Sequence, residues 1–105
     1  MEEYSVSYSE NAVNDLRDIY AYIAFELKEP VIAEGQTNRI RDKVRSLGLF
    51  PKKNRLVDIE SMRTLGMRQV SVDNFVVFYT TDDTNKSISV TRILYGTRNI
   101  EELLK

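Results

Sequence analysis

The chain has 105 residues, 42% of them apolar and 30% charged, which suits one compact domain spanning 1–105 rather than two. It holds no cysteine and no histidine, which excludes disulfides, thiolate catalysis, cysteine-ligated zinc and the usual general base near neutral pH. A formal charge of −1 does not steer the whole chain toward nucleic acid; with an acidic start (Met1, Glu2, Glu3) and no apolar run near the roughly 18 residues of a membrane span, a cytoplasmic protein without membrane contact is expected.

Tyr4-Ser5-Val6-Ser7-Tyr8 alternates large and small side chains, the period of a half-buried strand. The tyrosines and Val6 read as sheet packing, unless a partner's strand adds to that edge. Ser9 offers an N-cap oxygen, and Glu10 and Asp15 place negative charge near a helix start. Ala12, Val13, Leu16, Ile19, Tyr20, Ile23, Ala24 and Leu27 then form one apolar helical face ending near Leu27. After a break at Lys28-Glu29, Pro30 suits the first turn of a second helix, whose stripe is Ala33, Thr37, Ile40, Val44 and Leu47. Gly48 reads as its C-terminal cap and Pro51 as its stop, which makes the pair an antiparallel helical hairpin.

Residues 51–66 show no clear period and read as a basic loop with a short strand at 56–59. Segments 67–72 and 75–81 flank Asp73-Asn74, a pair that tolerates positive φ and suits a tight hairpin. Val76, Val77, Phe78 and Tyr79 are apolar on both parities, which places their strand in the middle of a sheet. A turn at 82–85 leads to a strand rich in β-branched residues at 87–95, and Asn99 can cap a short helix over 100–104. The predicted fold is α+β, in the order β-α-α-β-β-β plus a short C-terminal helix, with the helical hairpin packed on an antiparallel sheet.

The near-zero charge hides a division. Residues 1–35 carry eight acids against two bases, 36–72 nine bases against three acids, and 73–105 five acids against four bases. Fields act over about 8 Å in physiological salt, so a basic patch from the second helix through Arg68 can work despite the negative total. The bland alternative is that the blocks neutralise each other across the fold.

Several stretches are specific enough to compare with a family. They are Ala12-Val13-Asn14-Asp15-Leu16-Arg17-Asp18-Ile19-Tyr20-Ala21-Tyr22-Ile23, the run from Ile40 through Pro51, the strand block from Arg68 through Tyr79, and the block from Arg92 through Leu104. Over nearly its whole length the sequence resembles the RelE/ParE superfamily of toxins from bacterial type II toxin–antitoxin systems. With neither cysteine nor histidine, no metal site is expected, and no cofactor is expected either. The resemblance implies neutralisation by a small ParD-like or RelB-like antitoxin that wraps the toxin and binds operator DNA itself. Two activities occur in the superfamily. ParE-like members poison DNA gyrase, and RelE-like members cut mRNA in the ribosomal A site.

Cutting RNA through its 2′-OH needs a proton acceptor, cations for the phosphorane charge and a donor to the leaving oxygen. For a nuclease the expected groups are Arg68, Arg92, Arg98 and Tyr95. Lys52, Lys53, Arg55 and Arg98 are the expected contacts to a target or antitoxin. Without histidine the base would fall to Glu60, Asp58, a lysine or a tyrosine, and no pair is marked for the task. RelE-like nucleases commonly carry arginine after the aromatic that opens the central strand, where this chain has Val76 after Phe75. They also tend to carry a C-terminal tyrosine, where this chain has Leu103-Leu104. The expected function is therefore ParE-like gyrase poisoning. A ribosome-dependent mRNA endonuclease is the alternative, and an antitoxin-binding chain without toxicity is the third reading. Arg68 shares strand parity with Val70 and Val72, and Arg92 with Ile88, Val90 and Leu94, so each is also open to a purely structural pairing with a carboxylate.

Overall fold

The computed structural model describes residues 3–96. Strand β1 (Ser5–Tyr8) leads through Ser9 into helix α1 (Glu10–Ala21), which runs on as one π-helical turn, Tyr22–Glu26. Helix α2 (Pro30–Ser46) and a short α3 (Glu60–Thr64) precede β2 (Arg68–Val72), β3 (Phe75–Asp82) and β4 (Ser87–Tyr95). The sheet order is β1-β4-β3-β2. β2, β3 and β4 are antiparallel neighbours, whereas β1 lies parallel to β4. The sheet expected to be antiparallel throughout is thus mixed at one edge. A strand that returns only after a helical hairpin is free to pair in parallel, as a tight turn would not allow.

The predicted signals act where their chemistry places them. Ser9 Oγ accepts the Ala12 N–H at 3.0 Å as an N-cap and donates to the Thr91 carbonyl at 2.8 Å, which fixes α1 to β4. The helical hairpin turns at Lys28, whose φ of 58° lies in the left-handed region, and the Glu29 N–H closes back on the Ile23 carbonyl at 3.0 Å. Pro30 occupies the first turn of α2. Asp73 takes the positive φ (55°) of the β2–β3 turn, and its carboxylate accepts from Arg39 Nε at 2.8 Å and Gln36 Nε2 at 3.0 Å. Those bonds, with the Arg39 charge, hold the Asp73 carboxyl below its ordinary pKa. Gly48 acts differently from the cap expected of it. Its φ is not left-handed, and a Cβ there would lie 2.6 Å from the Tyr4 carbonyl oxygen, so glycine serves a close backbone crossing. At that crossing the Tyr4 N–H donates to the Gly48 carbonyl at 2.8 Å.

The sheet has a core on each face. On one, Ala12, Leu16, Ile40 and Val44 of the helices pack on Val72, Val77, Val90 and Ile93, continued by Leu47 against Tyr79 and Ile88. On the other, Phe78 and Leu94 pack with Val57 and Met67, joined by Ile59 and Met62. Val77, Phe78 and Tyr79 have no exposed surface, as expected for a central strand covered on both sides. The segment expected to be a solvated basic loop is therefore half lining. Its expected strand at 56–59 is reduced to one bridge, Leu56 with Arg68, and α3 was not foreseen.

Strand β4 carries a bulge. Tyr79 pairs with Val90 but Phe78 with Arg92, which leaves Thr91 as the extra residue. Parity shifts there. Ile93, not Arg92, joins Val90 in the helix-facing core, and Leu94 moves to the opposite one, which corrects the expected grouping of Arg92 with Val90 and Leu94. The expected helix at 100–104, its Asn99 cap and Arg98 lie outside the described residues.

Candidate functional site

Among the described residues, the arginines and lysines singled out in the sequence do not converge. Arg92 is bound to α1: its Nε and Nη2 donate to the two carboxylate oxygens of Asp15 at 2.7 and 2.9 Å, and the Ile93 N–H adds a third bond to Asp15 at 3.0 Å. The side chains are 22% and 13% exposed, and the hydrogen bonds to Asp15 raise the Arg92 pKa above its ordinary value. A guanidinium used in this way is structural. It joins the first helix to the last strand of the sheet.

Arg68 stands at the open end of β2, opposite Tyr79 and beside Leu56. Its Nη1 donates to the Asn54 carbonyl at 2.7 Å, and its Nε is buried without a hydrogen-bond partner among the described residues. Asn54 also donates from Nδ2 to the Tyr79 hydroxyl at 3.1 Å. Burial pushes the Tyr79 phenol above its ordinary pKa, against the opposing effects of Asn54 and the Arg68 charge. A phenol held neutral and capped by an amide is a poor proton acceptor.

The neighbouring loop bases point elsewhere. Lys52 pairs with Asp83 of the β3–β4 turn, which also accepts the Tyr4 hydroxyl at 2.7 Å. Lys53 sits 5.9 Å from the centre of the Phe50 ring. Arg55 is exposed, and its carbonyl accepts the Gln69 N–H at 3.1 Å. Lys52, Lys53, Arg55 and Arg68 thus share one end of the sheet as separate charges rather than as a cradle for one phosphate.

Tyr95 belongs to another surface. It is opposite Phe75, at the far end of β3 from the Arg68–Tyr79 pair, and the two rings meet edge to face at 5.5 Å. Both line a groove of about 790 Å³ with Ile19, Tyr22, Leu27 and Ile93, and Asp18 contributes to its rim. The groove leads to the end of the helical hairpin, where Tyr22, Phe25, Leu27, Val31 and Ile32 are all more than half exposed. Leu27, expected on the buried stripe, is instead part of this open surface, while Tyr20 and Val13, expected on the same stripe, are exposed along a separate groove. Sequence reasoning missed the patch, yet its signal was present. Tyr22 and Phe25 lie off the stripe formed by Leu16, Ile19 and Ile23, so this end of the helix is apolar beyond one face. An exposed cluster of large apolar side chains marks a surface that a partner covers.

Among the described residues, no three carboxylates lie together as they would to hold a metal, and no helix is long and apolar enough to cross a membrane.

A helical hairpin on one face of a four-stranded mixed sheet is the architecture of a known class of bacterial toxins. The chromosomal ParDE toxin–antitoxin system of Pseudomonas aeruginosa superposes with a TM-score of 0.74 at 21% identity, covering 89% of this chain and 96% of that one. The RelBE2 toxin–antitoxin complex of Mycobacterium tuberculosis gives 0.63 at 16% identity over 89% and 98%. A double arginine-to-alanine mutant of the Escherichia coli RelE toxin in the free state gives 0.65 at 11% identity over 96% and 92%. At such identities these likenesses speak for the fold. No curated protein matches the chain. The family model for the ParE toxin of the type II toxin–antitoxin system parDE matches residues 6–100, and the chain belongs to that family.

Proposed function

We propose that this chain arrests growth by poisoning DNA gyrase in the cytoplasm and is held inactive by a cognate ParD-like antitoxin. The observation that supports the choice of target is the dispersal, among the described residues, of the groups a nuclease would need. Arg92 is committed to Asp15, Arg68 is turned back onto Asn54, and Tyr95 packs on Phe75 at the other end of the sheet. An RNA-cleaving site requires its base, its acid and its phosphate-binding cations within hydrogen-bond reach of one scissile bond. The apolar hairpin end supports the antitoxin half of the reading, because its exposed tyrosine, phenylalanine and aliphatic side chains match what an amphipathic segment buries. Operator DNA is then reached through the antitoxin.

The test is a supercoiling assay with the purified chain and gyrase, run beside ribosome-dependent cleavage of a reporter mRNA. Loss of supercoiling with cleaved DNA accumulating, and an intact message, is the expected result. Unchanged supercoiling with codon-phased cuts in the mRNA assigns the RelE-like activity instead. Normal growth on expression without antitoxin assigns a chain that has lost toxicity.

A further inference from the structure

We propose that the groove between α1 and α2 binds a purine nucleoside monophosphate, guanine by preference, with its phosphate between Arg17 and Arg41 and its base at Glu34 and Tyr20. The site is defined by its own chemistry and does not depend on which macromolecule the toxin inhibits.

The groove holds about 540 Å³, within the range of small-ligand sites, and Arg68, Arg92 and Tyr95 are not among its walls. Val13 and Leu16 of α1 give it an apolar side. The chain enters α1 from Tyr8 and leaves α2 toward Gly48, which is bonded to Tyr4, so the start of α1 lies beside the end of α2. Tyr8 and Arg41 therefore mark one end of the groove, and Tyr20 and Glu34 the other. Glu34 and Arg41 are seven residues apart on α2, nearly two turns, which returns them to one face about 10 Å apart along the axis.

The two ends differ in charge, and that difference specifies the occupant. Side chains lean toward the N-terminus of their helix, so Arg17 leans toward the Tyr8 end, Arg41 toward Arg17, and Glu34 away from both. Among the described residues neither arginine is in an ion pair, and the Tyr8 hydroxyl makes no hydrogen bond. Two guanidinium forks on opposite walls, with no carboxylate between them, match the oxygens of a phosphate. Burial raises the Tyr8 phenol above its ordinary pKa against the opposing charges of Arg41 and Arg45, so it remains a neutral donor to the same anion. At the other end the Glu34 carboxylate only accepts, and it too is in no ion pair among the described residues. Guanine presents an N1–H and an amino group to one carboxylate, whereas adenine sets a lone pair at N1 against it. The Tyr20 ring, held edge to face with Phe25 at 6.5 Å, stands beside Glu34 as a stacking surface. An anion separated by about 10 Å from a pair of N–H donors is the outline of guanosine 5′-monophosphate, GMP.

The experiment titrates the full chain with GMP, AMP, guanosine and inorganic phosphate by calorimetry, and maps the GMP complex by amide chemical shifts. The expected result is GMP binding about tenfold or more tighter than guanosine or inorganic phosphate alone, and about fivefold tighter than AMP. The largest shifts should fall on residues 13–20 and 34–41. Arg17→Gln and Arg41→Gln should each weaken GMP binding about tenfold. Glu34→Gln should remove the preference for GMP over AMP and leave the affinity for inorganic phosphate as it was. Circular dichroism of the three variants should match the parent, since all three positions are exposed. No saturable GMP binding up to about 1 mM overturns the proposal. So does guanosine or inorganic phosphate binding as tightly as GMP, full affinity in Arg41→Gln, or shifts centred away from the groove.

Discussion

Replacing Asp15 by alanine tests the physical link between the helical hairpin and the sheet. The substitution removes three bonds of 2.7 to 3.0 Å, two from the Arg92 guanidinium and one from the Ile93 N–H. Breaking a buried pair by removing one partner costs about 3–5 kcal/mol, because the remaining charge stays desolvated. Here the arginine side chain keeps 22% of its surface, so water recovers part of that loss and about 2–4 kcal/mol is expected. For a domain near 100 residues each kcal/mol lowers Tm by about 4–8 °C, so the fall should be on the order of 10–25 °C. Urea denaturation of Asp15→Ala, Arg92→Met and the double variant gives the pair's coupling through a double-mutant cycle. The double variant should be more stable than the sum of the single losses by at least about 1 kcal/mol, since methionine leaves no stranded charge. A loss below about 1 kcal/mol for Asp15→Ala, or strict additivity in the cycle, refutes the idea that this pair ties α1 to β4.

Two further outcomes follow from named contacts. Gly48→Ala sets a Cβ 2.6 Å from the Tyr4 carbonyl oxygen, and since that oxygen is backbone and a Cβ has no rotamer to move it away, the crossing must open. A loss of about 1–3 kcal/mol by thermal or urea denaturation is expected, and a change under about 0.5 kcal/mol would show that glycine is not required there. Tyr79 concerns alkaline pH. Burial raises its pKa in the folded chain above the ordinary value of 10.0, so the unfolded chain loses the phenolic proton first. Its contribution is complete below pH 10.0 and is lost as pH rises from there through the folded-state value. Tyr79→Phe should flatten the fall in stability measured by urea denaturation across that range, and an unchanged slope would count against the burial account.

The parts of this fold legible in the sequence are those set by local chemistry. Ser9 as a cap, Pro30 in a first helical turn and Asp73 in a left-handed turn each follow from one residue's own geometry. The apolar run from Val76 to Tyr79 likewise places the central strand, because only a strand covered on both faces needs apolar side chains on both parities. What escaped depends on pairs far apart in sequence. The parallel alignment of β1 with β4, the crossing at Gly48 and the partner of Arg92 become visible only when residues about 40 to 80 positions apart meet. Helix α3 is five residues long, too short to show a period, and it is recruited by the second core through Met62. For the site, residue type led toward Arg68, Arg92 and Tyr95 as a group. The sheet register separates them, since Tyr95 opposes the first residue of β3, Phe75, whereas Arg68 opposes Tyr79 four residues further along.

The extra residue at Thr91 bears on how relatives of this chain are to be aligned. A strand alternates faces with every residue, so an insertion of one exchanges inside for outside over everything that follows. A relative without the bulge would match β4 by its apolar pattern only up to Val90, and beyond it only after a single-residue gap. Aligned without that gap, Ile93 would be compared with a position on the opposite face, and a core substitution would pass for a change at the surface. In this fold the short motif around Arg92 and Ile93 is therefore better aligned by its contact to Asp15 than by counting from the start of the strand.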